Sequence, residues 1–347
     1  MAKSKIEWTD VVWNPVTGCN KVSRGCKHCY AETIANRFWA KQYPQNADGS
    51  PRRFTDVRLH PERLDEPLRL KTPRRVFVNS MSDLFHETVD RHFIADVWRV
   101  MEKTPQHVYQ VLTKRSERMW HWVTGYALYD KPLPNVWLGV SVENQQAADE
   151  RIPWLLQTPA AVRFVSCEPL LGSVDFSSIG SVGMGQCLEC AGAGETAGHY
   201  FSPDGVGVCG SCGGSGEDSN AVLDWVIVGG ESGPGARPMH PDWARSLRDQ
   251  CQAGGVPFFF KQWGEFGSTG TNLLTDEPVF LQYQNYDHWT QKYWMAKDDI
   301  LLDATGERML NGGMIKVAIP PFTIMRRVGK RAAGRLLDGR EWNEFPC

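Results

Sequence analysis

Several features are missing from this chain, and each absence removes a class of function. No apolar run approaches the roughly 18 residues that a membrane-spanning helix requires, so no membrane span is expected. No charge of one sign dominates. Lys+Arg 38 against Asp+Glu 40 leave a net charge of −2, which excludes a global basic field for nucleic acid or lipid but leaves room for a local basic groove. The opening MAKSKIEWTD has no apolar core of the kind a secretory signal carries, which predicts a cytoplasmic protein. No H-E-x-x-H ligand set occurs, which disfavours a zinc hydrolase. The Gly-rich GGESGPG at 229–235 matches neither the phosphate-loop nor the dinucleotide fingerprint, and reads as a strand-end turn that permits close approach of a ligand.

What is present fits a packed α/β chain. Hydrophobic residues make up 41% of 347, enough for a sizeable core. The fourteen tryptophans serve packing or line a cavity. Short β-branched and aromatic runs predict strands at 75–79, 108–113, 136–142, 162–167, 225–229 and 257–261, with an earlier one near 7–13. Unbroken apolar runs suit strands covered on both faces, as in parallel sheets. Helical stripes lie between them: Tyr30, Ile34 and Phe38; Phe93, Val97, Val100 and Met101; Ile152, Leu155 and Leu156; and Trp243, Leu247 and Cys251 between Pro241 and Gly254. Strand–helix alternation predicts right-handed βαβ units and a partial (β/α) barrel of six or seven parallel strands within one domain, 1–347. Two stretches interrupt the alternation: a Gly-, Ser- and Cys-rich insertion at 180–220 and an irregular C-terminal elaboration at 265–325. The basic stretch 326–337 is a helix candidate weakened by Gly329 and Gly334.

Seven of the ten cysteines fall into two clusters, which in a cytosolic protein suggests metal ligation more than disulfides. Cys19, Cys26 and Cys29 form C-x6-C-x2-C in GCNKVSRGCKHCYAE. Three thiolates can hold an iron–sulfur cluster with one iron left open, or zinc with His28 as a fourth ligand, or they are unligated buried thiols. A position after the first strand, at the end of a parallel barrel where active sites lie, favours the cluster. The second set, Cys187-x2-Cys190 and Cys209-x2-Cys212 separated by 18 residues, is a strong tetrahedral zinc signal. Both knuckles continue as C-x2-C-x-G-x-G, which resembles repeats in the zinc-binding region of J-domain co-chaperones. The ion would organise a segment too Gly-rich to bury a core, as a structural clip or as a contact for substrate or partner. A second iron–sulfur cluster is the less favoured occupant.

The stretches IEWTDVVWNPVTGC, GCKHCYAE, VFVNSMSDLF, VSVEN, SCEPLL, GGESGPGARPM, FFKQWG and LLDGREWNEFP resemble the phage-associated three-cysteine-motif family of unknown function, related to radical S-adenosylmethionine (SAM) enzymes. The resemblance implies a TIM-barrel-like partial barrel whose Cys19, Cys26 and Cys29 bind a 4Fe–4S cluster. The open iron would chelate SAM, and reduction by an electron donor would yield a 5′-deoxyadenosyl radical that abstracts hydrogen from substrate. The first cysteine gap here is six residues where radical SAM enzymes have three. His28 stands where those enzymes carry an aromatic residue near the adenine, and an imidazole can stack in its place.

Within that frame the polar residues at strand ends acquire roles. His28, Tyr30, Asn79, Ser80, Asp83, Glu143 and Glu231 are the expected cofactor-binding set, with carboxylates for the methionyl ammonium or ribose hydroxyls. Glu168 and Lys261 are the expected catalytic pair; Lys114 and Lys261 suit a carboxylate or phosphate. Cys167 is either a packed thiol or a hydrogen-atom donor. By analogy with related enzymes and from the phage setting, the substrate class is nucleic acid, met in the cytoplasm of a bacterium or a bacterial host. The rival reading is a non-enzymatic phage protein, nucleic-acid-binding or regulatory, that contains zinc.

Overall fold

Seven strands hydrogen-bond in parallel, each beside the next in chain order: β1 (Val11–Trp13), β2 (Arg75–Val78), β3 (Val108–Thr113), β4 (Val136–Ser141), β5 (Val162–Cys167), β6 (Trp225–Gly229) and β7 (Phe258–Gln262). The sheet curls into a half-barrel. The computed structural model describes residues 2–42, 45–46, 48–125, 132–177, 195–196, 207–208, 222–271, 274, 278–285, 296–297, 299–309 and 319–346. Helices α1 (Tyr30–Gln42), α2 (Arg91–Lys103), α3 (Ser116–Gly125), α4 (Gln145–Gln157) and α5 (Pro241–Ala253) occupy five of the six crossovers. The sixth, between β5 and β6, is the 180–220 insertion. There the strands Glu195–Thr196 and Gly207–Val208 pair antiparallel, while Cys187, Cys190, Cys209 and Cys212 lie outside the described residues.

The period of two along each strand divides its side chains between two cores. Val76, Val78, Tyr109, Val111, Val165 and Cys167 join the large cluster shared with the helices. Phe77, Phe164, Trp225, Ile227 and Phe259 turn to the other face and pack with Trp8. Trp8 meets Phe77 edge-on at 4.7 Å, and Trp225 meets Phe164 at 5.7 Å. Gly139 of β4 makes this possible: a Cβ there would stand 2.5 Å from the Phe164 ring. Several tryptophans therefore serve packing on the concave side.

Helix ends follow the sequence signals. Asp90 caps α2 by accepting from the His92 amide at 2.7 Å, and Asn144 caps α4 by accepting from Ala147 at 3.0 Å. Pro241 opens α5 and Gly254 closes it. The apolar stripes of α2, α4 and α5 are buried, but that of α1 is not. Its buried seam is Ala31, Ala35 and Trp39 against Phe54, while Tyr30, Ile34 and Phe38 face outward. Helical spacing predicts a shared face without saying which face finds a partner.

The C-terminal stretch departs from expectation. Strands Phe266–Gly267, Leu281–Tyr283, Asp299–Leu302, Arg308–Met309 and Phe322–Arg327 form an antiparallel sheet where 265–325 reads as irregular. The basic helix expected over 326–337 is reduced to Lys330–Ala333. Phe322, Thr323, Ile324 and Met325 bury their side chains in the sheet, and Gly329 and Gly334, at φ 84 and 71, bound the single turn. Among the described residues no helix is long and apolar enough to cross a membrane.

Candidate active site

Parallel strands point all their C-terminal ends to one side, and a cavity of about 400 Å3 lies there. Its walls come from residues 5–8 ahead of β1, from the chain after β1, β2, β3, β5 and β6, and from the last residues of β4 and β7. Cys19, Cys26 and Cys29 all line it. So do His28, Tyr30, Asn79, Ser80 and Asp83, together with Glu168, Glu231 and Lys261. Of the residues expected at the site, the structure leaves Cys167 and Glu143 off the cavity wall, and the four zinc-cluster cysteines fall outside the described residues.

The cysteine loop is shaped by close backbone contacts. Gly18 adopts φ 96, and a Cβ there would stand 2.8 Å from the carbonyl oxygens of Phe54 and Asp56. Its amide donates to the Met81 carbonyl at 3.0 Å, and that of Cys19 to Phe54 at 3.0 Å. Cys26 ends a 3-10 turn, Arg24–Cys26, and Cys29 immediately precedes α1. Asn79, at φ 61, ties β2 to this loop by accepting from the Val16 amide at 3.2 Å. The Tyr30 hydroxyl donates to the Ser80 carbonyl at 2.5 Å.

Charges at the strand ends fall into four ion pairs, two of which brace the loop. Glu143 accepts from Arg151 at 2.8 Å and from the Gly25 amide at 3.3 Å. Glu231 takes Arg237 at 2.6 and 2.8 Å, and Arg237 Nη1 donates to the Arg24 carbonyl at 2.9 Å. Both carboxylates, expected to bind cofactor, are thus engaged in holding the turn that carries Cys26. Asp83 accepts from Thr113 at 2.8 Å and from Arg115 at 3.1 Å, and Arg115 Nη1 also points at Cys19 Sγ, 3.7 Å away. Lys261 Nζ meets both oxygens of Glu168, at 2.7 and 2.9 Å, so the expected catalytic pair is directly joined.

Cys167 sits elsewhere. It is fully buried on the helix side of β5, and burial together with Cys251 pushes its thiol well above the usual range. That suits a packed thiol, because its neighbours in sequence, Ser166 and Glu168, are the ones that reach the cavity. Gly230 also differs from expectation. Its close neighbour is the chain's own backbone: a Cβ there would stand 1.9 Å from the Trp263 carbonyl oxygen.

The cysteines differ electrostatically. Burial and the Asp83 carboxylate push the Cys19 thiol up to about 11, with Arg115 opposing. Burial also raises Cys26, but the Lys114 ammonium and hydrogen bonds from Val22 and Ser23 outweigh it and hold that thiol below its ordinary value. The thiolate is the species that alkylates. In the metal-free chain near neutral pH, iodoacetamide should therefore modify Cys26 well before Cys19, and raising the pH toward 11 should bring Cys19 in. Peptide mass spectrometry across a pH series checks the order; equal rates at neutral pH would contradict it.

Arg115 and Gln262 follow or end their strands, where the sequence places polar residues at one mouth, whereas sequence reasoning missed Trp8 on the wall. Trp8 Nε1, Arg115 Nη2 and Gln262 Oε1 are buried polar atoms with no hydrogen-bond partner, as is Nδ2 of the expected Asn79, and all four residues line the cavity. Lys261 and Gln262 are of opposite parity on β7, yet both line the cavity, where the β6–β7 register shifts at Gly229; no local signal brings Trp8 to the floor.

The three free thiols on one wall form a donor set of the right chemistry for a metal centre. Among the described residues, however, no three His, Cys, Asp or Glu side chains stand close enough together to hold a metal ion. The thiols are brought to the same wall but not into contact around one point. No curated protein and no solved structure matches the chain. A family model described as "Protein of unknown function (DUF5131)" matches residues 3–346, and the chain belongs to that family.

Proposed function

We propose that this chain is an iron–sulfur enzyme of the radical SAM type, related to the phage-associated three-cysteine proteins, and that it modifies or repairs nucleic acid. The observation that carries the reading is that Cys19, Cys26 and Cys29 all line one cavity at the C-terminal ends of the parallel strands. These thiolates would hold a 4Fe–4S cluster. With an external electron donor, the chemistry supplied there would be one-electron reduction of SAM. The chain's own residues prepare the setting. Lys114 and Arg115 offset the negative charge of the thiolates. Trp8, Phe77 and Leu112 give the cavity an apolar floor. Glu168 and Lys261 present a charge pair that can open to take a carboxylate or an ammonium. Cys187, Cys190, Cys209 and Cys212 would hold zinc as a clip on the insertion.

His28 lines the same wall as the three cysteines, which favours one alternative: a structural Cys3His zinc site in a non-enzymatic nucleic-acid-binding or regulatory phage protein. Anaerobic reconstitution with iron and sulfide separates the two. The enzyme reading expects about four iron per chain, 5′-deoxyadenosine on addition of SAM and reductant, iron lost in Cys26→Ala and zinc lost in Cys187→Ala. A colourless chain with about two zinc, or a loaded one that neither binds nor cleaves SAM, would reject it.

A further inference from the structure

We propose that the outer face of α1, formed by Tyr30, Ile34 and Phe38 with Val22 beside it, docks a single-stranded nucleic acid and delivers one of its bases to the cavity. This deepens the nucleic-acid part of the proposed function, and its surface can be tested without the metal.

The stripe is exposed where a stable helix would normally bury one. Tyr30 and Phe38 are each 49% accessible, Val22 45% and Ile34 40%, whereas the neighbouring seam of Ala31, Ala35 and Trp39 is at most 5%. Among the described residues the large exposed apolar side chains include only two aromatic rings, and both are on this stripe. At a spacing of four they lie along one side of the helix over roughly 12 Å, the run of three or four stacked bases.

The surroundings are basic although the chain is not. Across 20–38 the one acid, Glu32, pairs with Lys21 at 2.8 Å, which leaves Arg24, Lys27 and Arg37 as the exposed cations, against a net charge of −2 for the whole chain. The Arg37 guanidinium lies 5.2 Å from the centre of the Phe38 ring. Aromatic faces interleaved with cations suit an unpaired strand, whose bases stack while its phosphates meet the charges.

One end of the stripe opens into the cavity, because Val22 and Tyr30 belong to both. Inside, the floor is apolar and aromatic at Trp8 and Phe77, and Asn79, Arg115 and Gln262 bring polar side chains to the wall. A nucleobase has the matching form, with two flat apolar faces and an edge of donors and acceptors, and extrusion from a single strand costs less than from a duplex.

The test is fluorescence anisotropy with the full chain, metal-free and anaerobically reconstituted. The probes are a labelled 15-mer of dT and a strand of the same length with every base removed. The base-bearing strand should bind at least tenfold tighter. Phe38→Ala and Phe38→Leu should each lose about tenfold, and Phe38→Trp should recover it, since stacking needs a ring. Lys27→Gln should reduce the slope of log affinity against log salt by about 0.7. Equal binding of the abasic strand, or Phe38→Leu indistinguishable from wild type, would overturn the proposal. So would preferential binding to phosphatidylserine vesicles, or self-association abolished by Ile34→Ser. If the strand binds as expected but no 5′-deoxyadenosine forms, the docking surface stands and the radical reading fails. If SAM is cleaved but the abasic strand binds equally well, only the docking surface falls.

Discussion

Glu143→Ala is expected to lower the unfolding free energy by about 3–5 kcal/mol, because it strands a buried cation. The Glu143 and Arg151 side chains are 4% and 7% accessible and meet at 2.8 Å. Truncating the carboxylate leaves Arg151 with only the Ser141 carbonyl, 2.7 Å from the same Nη1, and leaves the Gly25 amide without its acceptor. At about 2.1 cal/mol/K per residue, such a loss lowers the melting temperature by about 5 °C. Adding Arg151→Met should restore much of it, since an apolar pair of similar volume removes the uncompensated charge. The loop reports separately: in Glu143→Ala the Cys26 thiol should alkylate faster, because the turn that carries it has lost a tether. A variant as stable as wild type would show that the pair contributes nothing net.

The same pair sets an acid limit. Burial raises the Glu143 carboxyl, but hydrogen bonds from Ser23 and Arg151 and the charges of Arg151 and Lys114 hold it below the usual carboxylate range. A depressed folded value means that the group stabilises the fold above the ordinary carboxylate pKa and loses that contribution as pH falls through the depressed value. Glu143→Gln should therefore flatten the acid limb of stability against pH while keeping an acceptor for Gly25.

Gly230→Ala carries the second large effect. The missing Cβ would stand 1.9 Å from the Trp263 carbonyl oxygen and 2.6 Å from its carbon, both backbone atoms that no rotamer change can move. The ends of β6 and β7 are bound at this point, with the Gly230 amide donating to Gln262 at 2.9 Å and the Glu265 amide to Glu231 at 3.0 Å. Prising them apart should cost about 3 kcal/mol or more, above the usual range for overpacking. It should also displace Lys261 and Gln262 from the cavity wall, so iron retained on anaerobic reconstitution should fall with the melting temperature. Gly233→Ala is the control within the same turn. Gly233 has φ 95 but open space around it, so the substitution costs only backbone strain, about 1 kcal/mol. Equal effects of the two substitutions would remove the close backbone approach as the reason for the glycine pair.

Much of this architecture was legible along the chain. The strands at 108–113, 162–167 and 225–229 end where their apolar runs end, and Pro241 and Gly254 bound α5 as their chemistry requires. Strand–helix alternation forces parallel pairing, parallel pairing gathers the C-terminal ends, and so Cys19, Asp83, Glu168 and Lys261 reach one cavity without further instruction. What only the tertiary structure decided is which face and which partner. Alternation places Ser166 and Cys167 on opposite sides of β5 but does not say which side meets the helices. Helical spacing groups Tyr30, Ile34 and Phe38 without revealing that Ala31, Ala35 and Trp39 win the packing. A carboxylate at a strand end is equally a ligand or a brace on paper; Glu143 became a brace because the Gly25 amide, 118 residues away, reaches it, and Glu231 because its partner Arg237 also donates to the Arg24 carbonyl, 213 residues from Arg237. Local periodicity is written in consecutive residues, whereas the partner of a charge or of an apolar face comes from chain distant in sequence, and proximity of that kind exists only once the sheet has curled.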